Sequence, residues 1–363
     1  MLKVVHYVSK MDRAGQETFI MNLFRNIDRS RIQFDFLCTD QSKGDYDEEI
    51  HALGGNIFYR EPMTWNSPLK QLQGMMLLRR ALREHPCDVF HIHTHHAMDA
   101  FLSALGAKAA GVKTVAVHSH NTCALHHLKA HRLFRRLLPL LRVRRFACSE
   151  AAGRWMFTKD NFRVLHNGLE LNKLYFRPEL RQQVRRQMGW EGKKIVGHVG
   201  RFNEQKNHRF LIEIFEKLHA KDPATHLVLA GKGELEEEIR ALVEKKNLVD
   251  AVSFLGIRSD VATLYQGMDL FLFPSLFEGL SVVLVEAQAC DLACLISSTN
   301  SPETLITDRA VMNPLEKSAE HWAEKALGMI REDHVRQDNR EQIRLAGYDI
   351  CHLAAELTDV YTG

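Results

Sequence analysis

Two carboxylates eight positions apart, Glu278 and Glu286, bracket the most chemically suggestive stretch of the chain, DLFLFPSLFEGLSVVLVE over 269–286. Leu270 to Phe273 form a short apolar run closed by Pro274, the pattern of a strand buried on both faces of a parallel sheet. Gly279 and Ser281 then open a second apolar segment, SVVLVEAQAC, which predicts a helix with Ser281 near its N-cap. A loop from the C-terminal end of a strand into the N-terminus of a helix offers backbone N–H groups to an anionic ligand.

A second predicted strand end supplies cations. In VGRFNEQKN, Arg201 and Lys206 follow the strand KIVGHV. A guanidinium binds bidentately and an ammonium acts as a point charge, so the two suit a diphosphate; from the residues alone, a solvated pair of surface charges is the stronger reading. Gly15, in the loop MDRAGQE after the first strand, serves either a tight turn or the close approach of backbone to a phosphate. Gly231-Lys232-Gly233 has the look of a nucleotide-binding turn, but a bare G-x-G is not specific. No G-x-x-x-x-G-K-[ST] occurs, which argues against P-loop chemistry.

Histidine is abundant, at 20 residues. His91, His93 and His95 alternate along one predicted strand and share a face, with His96, His118 and His120 at or near neighbouring strand ends. One reading is a metal centre, because imidazole is a common ligand of zinc-like ions. The other is a polar wall that hydrogen-bonds a sugar or phosphate. Only Asp99 lies near in sequence to serve as a carboxylate ligand, which favours the wall. Asp45-Tyr46-Asp47 has the form of a cation-binding D-x-D. It precedes a predicted helix start, where acidic side chains complement the helix dipole, so no metal is expected there.

The elements that must position these residues alternate strand and helix throughout. KVVHYV, FDFLCT, NIFYRE, DVFHIHTH, TVAVHSH, RRFACS and FRVLHNG are strand candidates in the first half, with helices over Thr18 to Asn26 and Gln71 to Glu84. KIVGHVG, THLVLAG, VSFLG, DLFLFPS and ACLISS continue the rhythm. Glu170 to Gly192, polar and basic with Pro178, Gly189 and Gly192, reads as a linker. The fold class is therefore α/β, with two doubly wound parallel sheets facing a cleft. A chain of 363 residues exceeds what one core usually covers, which agrees with two domains.

Composition excludes several classes. The formal charge of +3 is too small for a nucleic-acid binder, and no apolar run reaches the length of a membrane span. MLKVVHYVS is too short for a leader and reads as a strand. The seven cysteines are scattered and without a C-x-x-C pair, so reduced thiols in a cytoplasmic protein are expected. From His126 to Arg145, seven Lys or Arg residues alternate with Leu and Phe. This basic amphipathic stretch predicts peripheral contact with an anionic membrane, with a solvated outer face as the plainer alternative. A single aromatic, Phe134, argues against nucleic-acid stacking.

Together these segments resemble the family-four retaining nucleotide-sugar glycosyltransferases, which have the two-domain GT-B fold. The likeness is strongest to bacterial capsular and exopolysaccharide transferases. It runs through the first loop with Gly15 and Glu17, FHIH, VAVHSHNT, ACSEAAG, VLHNGLE, VGRFNEQKN, LVLAGKGE, VSFLGIRSDV and FPSLFEGLSVVLVEAQA. The last segment carries the family's E-x(7)-E signature as Glu278 and Glu286. Asp291-Leu292-Ala293 departs from the Gly-x-Pro that commonly follows it.

The resemblance implies roles. Arg201 and Lys206 would neutralise the donor diphosphate with the amides of Gly279, Leu280 and Ser281. Glu286 would accept from the ribose hydroxyls, and Glu278 would contact the transferred sugar. His118 would face that sugar from the first domain, and Gly15 would let the first loop close over the phosphates. No cofactor and no metal are implied. The implied domains are 1–170 for the acceptor and 171–344 for the nucleotide sugar, with a C-terminal helix at about 345–363 returning to the first. The implied reaction moves a sugar from a UDP-sugar, or a GDP-sugar, to a lipid-linked saccharide at the inner membrane face, for capsule, exopolysaccharide or O-antigen. The alternatives are a metal-dependent hydrolase using His91, His93 and His95, and a catalytically silent carbohydrate-binding relative.

Overall fold

The computed structural model describes residues 1–60, 67–120, 127–158, 161–278 and 280–362. The chain divides into two compact units, Met1–Glu170 with Gly347–Gly363, and Leu171–Ala346. Each is a parallel sheet wrapped by helices.

The first sheet contains β1 (Leu2–Val8), β2 (Ile32–Cys38), β3 (Ile57–Tyr59), β4 (Val89–Thr94), β5 (Thr114–Ser119), β6 (Arg144–Ala147) and β7 (Arg163–Val164). Their order is β3-β2-β1-β4-β5-β6-β7. Alternation along β1 divides its side chains between two cores. Val4 packs with Phe19, Phe24, Phe34 and Phe36 on one face, and Val5 and Tyr7 with Leu78, Phe90 and Ala104 on the other. The helix Ile350–Thr362 buries Ile350, Leu353, Leu357 and Tyr361 in the Val4 core.

The second sheet contains β8 (Lys194–Val199), β9 (Thr225–Ala230), β10 (Val252–Phe254), β11 (Leu270–Phe273), β12 (Ala293–Ser297) and β13 (Ala310–Asn313). Their order is β10-β9-β8-β11-β12-β13. All four residues of β11 are fully buried, as expected for an apolar strand covered on both faces. Each sheet reverses its strand order once, between β1 and β4 and between β8 and β11. At such reversals neighbouring loops diverge at the carboxyl ends of the strands and leave a crevice for ligands.

Two expectations need correction. The stretch read as a linker contains a helix, Pro178–Met188, in the second unit. It has a proline in its first turn and a left-handed Gly189 behind its last residue, the usual helix punctuation. Only Val184 is buried on it, so the apolar signal is faint. Polar contacts hold it instead. Arg181 donates to the carbonyls of Gln266 and Met268 at 3.0 and 2.9 Å, and Arg185 to Gly267 at 2.8 Å. These are the terminal carbonyls of the helix Val261–Gly267 and its cap, where cations complement the dipole.

The basic stretch is also not one helix. It is helical over Leu128–Leu137, tightens to a 3-10 turn over Leu138–Leu141, and breaks at Arg142, whose φ is 48°. Arg144 and Arg145 belong to β6.

Asp291 occupies the left-handed region with φ 50°. Its buried carboxylate accepts from His334 Nε2 at 2.8 Å, Gln337 N at 2.6 Å and Asn339 Nδ2 at 2.9 Å. The strain is offset by bonds that pin 334–339. Asp291→Ala is therefore expected to destabilise the second unit by about 2–4 kcal/mol. Asp291→Gly should cost about 1 kcal/mol less, because it relieves the backbone while losing the same bonds. Urea unfolding of the two variants checks the order.

Candidate active site

The crevice at the β8/β11 reversal is built from two loops tied together. After β8, Asn203 accepts the amide of Lys206 at 3.1 Å, closing a short turn over Glu204–Lys206. After β11, the amide of Leu276 donates to Gln205 O at 2.8 Å, and Gln205 Nε2 donates to Phe277 O at 3.0 Å. Asn207 Nδ2 adds a bond to Pro274 O at 3.1 Å. Ser297 and Thr299 hydroxyls hold the carbonyl of Ser275 at 2.6 and 2.9 Å. These six bonds fix where Glu278 stands relative to Lys206. The sequence reading missed Gln205, Asn207, Ser297 and Thr299. The polar run FNEQKN was the only signal for Gln205 and Asn207.

Lys206 Nζ lies 2.5 Å from Glu278 Oε1, and the two side chains are 15% and 9% exposed. The ammonium also sits 4.7 Å from the centre of the Phe273 ring. Its stem passes over Gly200, where a Cβ would lie 3.2 Å from Lys206 Cδ and Cε. The structure thus brings two of the expected residues into one largely enclosed ion pair. Arg201 is not part of it. Its guanidinium pairs with Glu234 at 3.1 Å and is 70% exposed.

Gly231, the first glycine of the G-x-G, has φ +144°, and a Cβ there would fall 1.9 Å from Gly200 O. Its absence of a side chain serves the close stacking of two loops. Packing alone therefore accounts for a glycine at 231.

Ser281 is the N-cap of the helix Val282–Ala289, and its side chain makes no capping bond. The first-turn amides there keep their dipole for another acceptor. Leu280 is partly exposed beside it. Gly279 lies outside the described residues. Glu286, on the same helix, accepts from the hydroxyl of buried Tyr265 at 3.0 Å. Burial raises its carboxyl to about 7, opposed by that hydrogen bond. Tyr265 is a partner the sequence reading did not name.

The remaining candidates lie in the first unit. Gly15 begins the helix Gly15–Asn26 behind Ala14, which provides no capping side chain. A Cβ at Gly15 would meet nothing within 4 Å, and its φ is not left-handed. The tight-turn reading therefore falls away, leaving open space at a helix start. Asp47 opens the helix Asp47–Ala52 and accepts the amide of Gly44 at 2.8 Å, the expected dipole complement.

His118 is fully buried, and neither of its ring nitrogens has a partner among the described residues. It belongs to a stack with His91 and His120, at 5.5 and 4.1 Å between ring centres, that also takes in His93 and His6. His6 was not singled out from the sequence, because its place depends on β1 pairing with β4 in register with His91. His95 is exposed and stands outside the imidazole groups close enough to share an ion. The triad His91, His93 and His95 proposed for a hydrolase is thus not assembled.

Two family models match the chain. One described as Glycosyltransferase Family 4 covers residues 13–173, and one described as Glycosyl transferases group 1 covers residues 181–346. The glycosyltransferase EpsF of Bacillus subtilis (strain 168) is 35% identical, over 99% of this chain and 96% of its own. The Escherichia coli UDP-Gal:alpha-D-GlcNAc-diphosphoundecaprenol alpha-1,3-galactosyltransferase is 24% identical, over 84% of this chain and 81% of its own. The capsular polysaccharide biosynthesis glycosyltransferase CapH of Staphylococcus aureus is 22% identical over 99% of both. Anabaena Alr3699/HepE, solved in complex with UDP, shares the fold with a TM-score of 0.81 at 16% identity, covering both chains fully. With both halves matched in order, an end-to-end relative and a shared architecture, the chain belongs to glycosyltransferase family four, on the GT-B fold.

Proposed function

We propose that this enzyme transfers a sugar from a UDP-sugar to a lipid-linked saccharide, with retention of configuration and no metal at the transfer step. The observation that carries the reading is the Lys206–Glu278 pair at the β8/β11 reversal, next to the uncapped start of Val282–Ala289. A diphosphate seated there meets the ammonium and the helix dipole, and the attached sugar meets the carboxylate. As the bond from the anomeric carbon to phosphate breaks, negative charge builds on the departing oxygen, and fixed dipoles stabilise it. The acceptor hydroxyl attacks from the same face and passes its proton to that oxygen. Arg201 joins by leaving Glu234, since an exposed pair of this kind is worth at most about 1 kcal/mol. Glu286 takes the ribose hydroxyls, and the open space at Gly15 admits phosphate. His118 is given no role in the step, because a fully buried ring does not touch a sugar without rearrangement.

The UDP complex of HepE and the diphosphoundecaprenol acceptor named for the E. coli relative support the donor and acceptor classes. GDP-sugars remain the second donor class. The test is a panel of nucleotide sugars with lipid-linked acceptors, scoring nucleotide diphosphate release. Acceptor-dependent release from a UDP-sugar is expected; no release with any UDP- or GDP-sugar would refute the reading.

A lipid-linked acceptor supports a position at the cytoplasmic membrane face. Among the described residues no helix is long and apolar enough to cross a membrane. The helix Leu128–Leu137 exposes Lys129, Arg132 and Arg136 beside Leu128 and Leu133, which are 44% and 55% exposed. Arg135 is different, because it donates inward to the carbonyls of Arg154 and Phe157 at 2.7 and 2.6 Å. Replacing Arg132 and Arg136 by Gln should weaken binding to anionic vesicles roughly thirtyfold, at about 1 kcal/mol per basic residue. Vesicle co-sedimentation checks this, with neutral vesicles as the control.

A further inference from the structure

We infer that the first unit holds a zinc-like divalent ion on His93, His118 and His120, at the carboxyl ends of β4 and β5. The inference does not depend on the donor reading. One nitrogen from each ring lies within 4.8 Å of the others. His93 and His118 face each other directly across the parallel pairing of β4 and β5. His120 follows on the same face two residues after His118 and is partly exposed, so the cluster has an outer side.

Three features point to a ligand and away from ordinary core packing. First, His118 is fully buried, with both nitrogens unpartnered among the described residues. Leaving a polar ring in that condition costs roughly 1–3 kcal/mol, and an ion at the acceptor nitrogen removes that nitrogen's share of it. Second, the geometry is near what an ion needs. His93 Nδ1 stands 2.8 Å from His120 Nε2. Imidazoles binding tetrahedral zinc at about 2.0–2.1 Å set their nitrogens about 3.3 Å apart, a small opening of the pair. Third, His93 already has an outer partner. Its Nε2 lies 2.9 Å from His6 Nδ1, the arrangement that fixes tautomer and ring direction when Nδ1 carries a metal.

The donor set is all imidazole. Zinc, cobalt and copper suit it, while magnesium and calcium call for oxygen ligands. With three protein ligands, the fourth position is left to water or an anion. A related group, His6, His91 and His93, shares His93, but all three of its rings are buried and it has no outer side through which an ion could enter. The outer group is therefore the binding set.

The full chain, purified without a polyhistidine tag, is dialysed against chelator and titrated with Co²⁺ and, separately, Zn²⁺. Expected are one equivalent bound, the visible absorption of tetrahedral cobalt, and a melting temperature that rises with Zn²⁺ but not with Mg²⁺. His93→Gln and His120→Gln should each weaken binding by about a hundredfold or more. His120→Gln, at a partly exposed position, keeps the test valid if the buried variant does not fold. Absence of stoichiometric metal in the folded wild-type chain overturns the inference. So does unchanged affinity in a folded variant, which would place the ion on other histidines.

Discussion

Replacing Lys206 by Met is expected to lower kcat for sugar transfer by about 10²–10³-fold, the usual cost of removing one preorganised group from developing negative charge. Donor KM should change less, because the charge it answers grows as the phosphate departs. The same substitution strips Glu278 of its partner in a site where the carboxylate is only 9% exposed. An uncompensated buried charge costs about 3–5 kcal/mol, so the variant should also melt earlier. The two effects are separable. Lys206→Met combined with Glu278→Gln removes both charges, and stability should return most of the way toward wild type while activity stays low. Thermal unfolding and kcat on the two variants decide it. Recovery of activity along with stability would make the pair a structural strut and remove it from the chemistry.

Glu286→Gln is expected to raise donor KM by about 10–100-fold with a smaller change in kcat, because charged hydrogen bonds to ribose hydroxyls are worth about 1.5–3 kcal/mol. The environment adds a pH signature. Burial raises the carboxyl to about 7, so near neutrality a good share of free enzyme carries the acid form. Because the folded value lies above the usual one, the protonated form stabilises the fold, and that gain is lost as pH rises toward 7. Donor affinity runs the other way. Ribose hydroxyls donate to the carboxylate, so the ionised form binds better, and KM should fall about tenfold from about pH 6 to about pH 8. The Gln variant should show no such slope. A slope that persists in the variant assigns the titration to another group.

Much of the crevice was legible because its parts are local. LFLFPS reads as a doubly buried strand with a stop, and SVVLVEAQA as the helix behind it; both stand where expected. What was not legible depends on contacts between distant segments. Nothing in VGRFNEQKN tells that Lys206 reaches Glu278 while Arg201 turns to Glu234. Gln205 and Asn207 are unremarkable polar residues until the β11 loop lies beside them. The helix Pro178–Met188 was read as a linker because arginines on carbonyls hold it, and such bonds leave no apolar period. The basic stretch was read as continuous because its charge runs on. Yet Val143 and Phe146 are buried around a strand start, and the chain turns at Arg142 to deliver them. His6 joins the imidazole stack only through sheet order, since β4 lies beside β1 with two strands intervening in sequence.

The central claim is that a nucleotide diphosphate settles at the β8/β11 reversal, against the start of Val282–Ala289. Amide hydrogen exchange with and without saturating UDP tests it most directly. Slower exchange is predicted in peptides covering 199–207 and 275–286, with both effects lost in Lys206→Met/Glu278→Gln. Slowing confined to other segments, with these two unchanged, would contradict it.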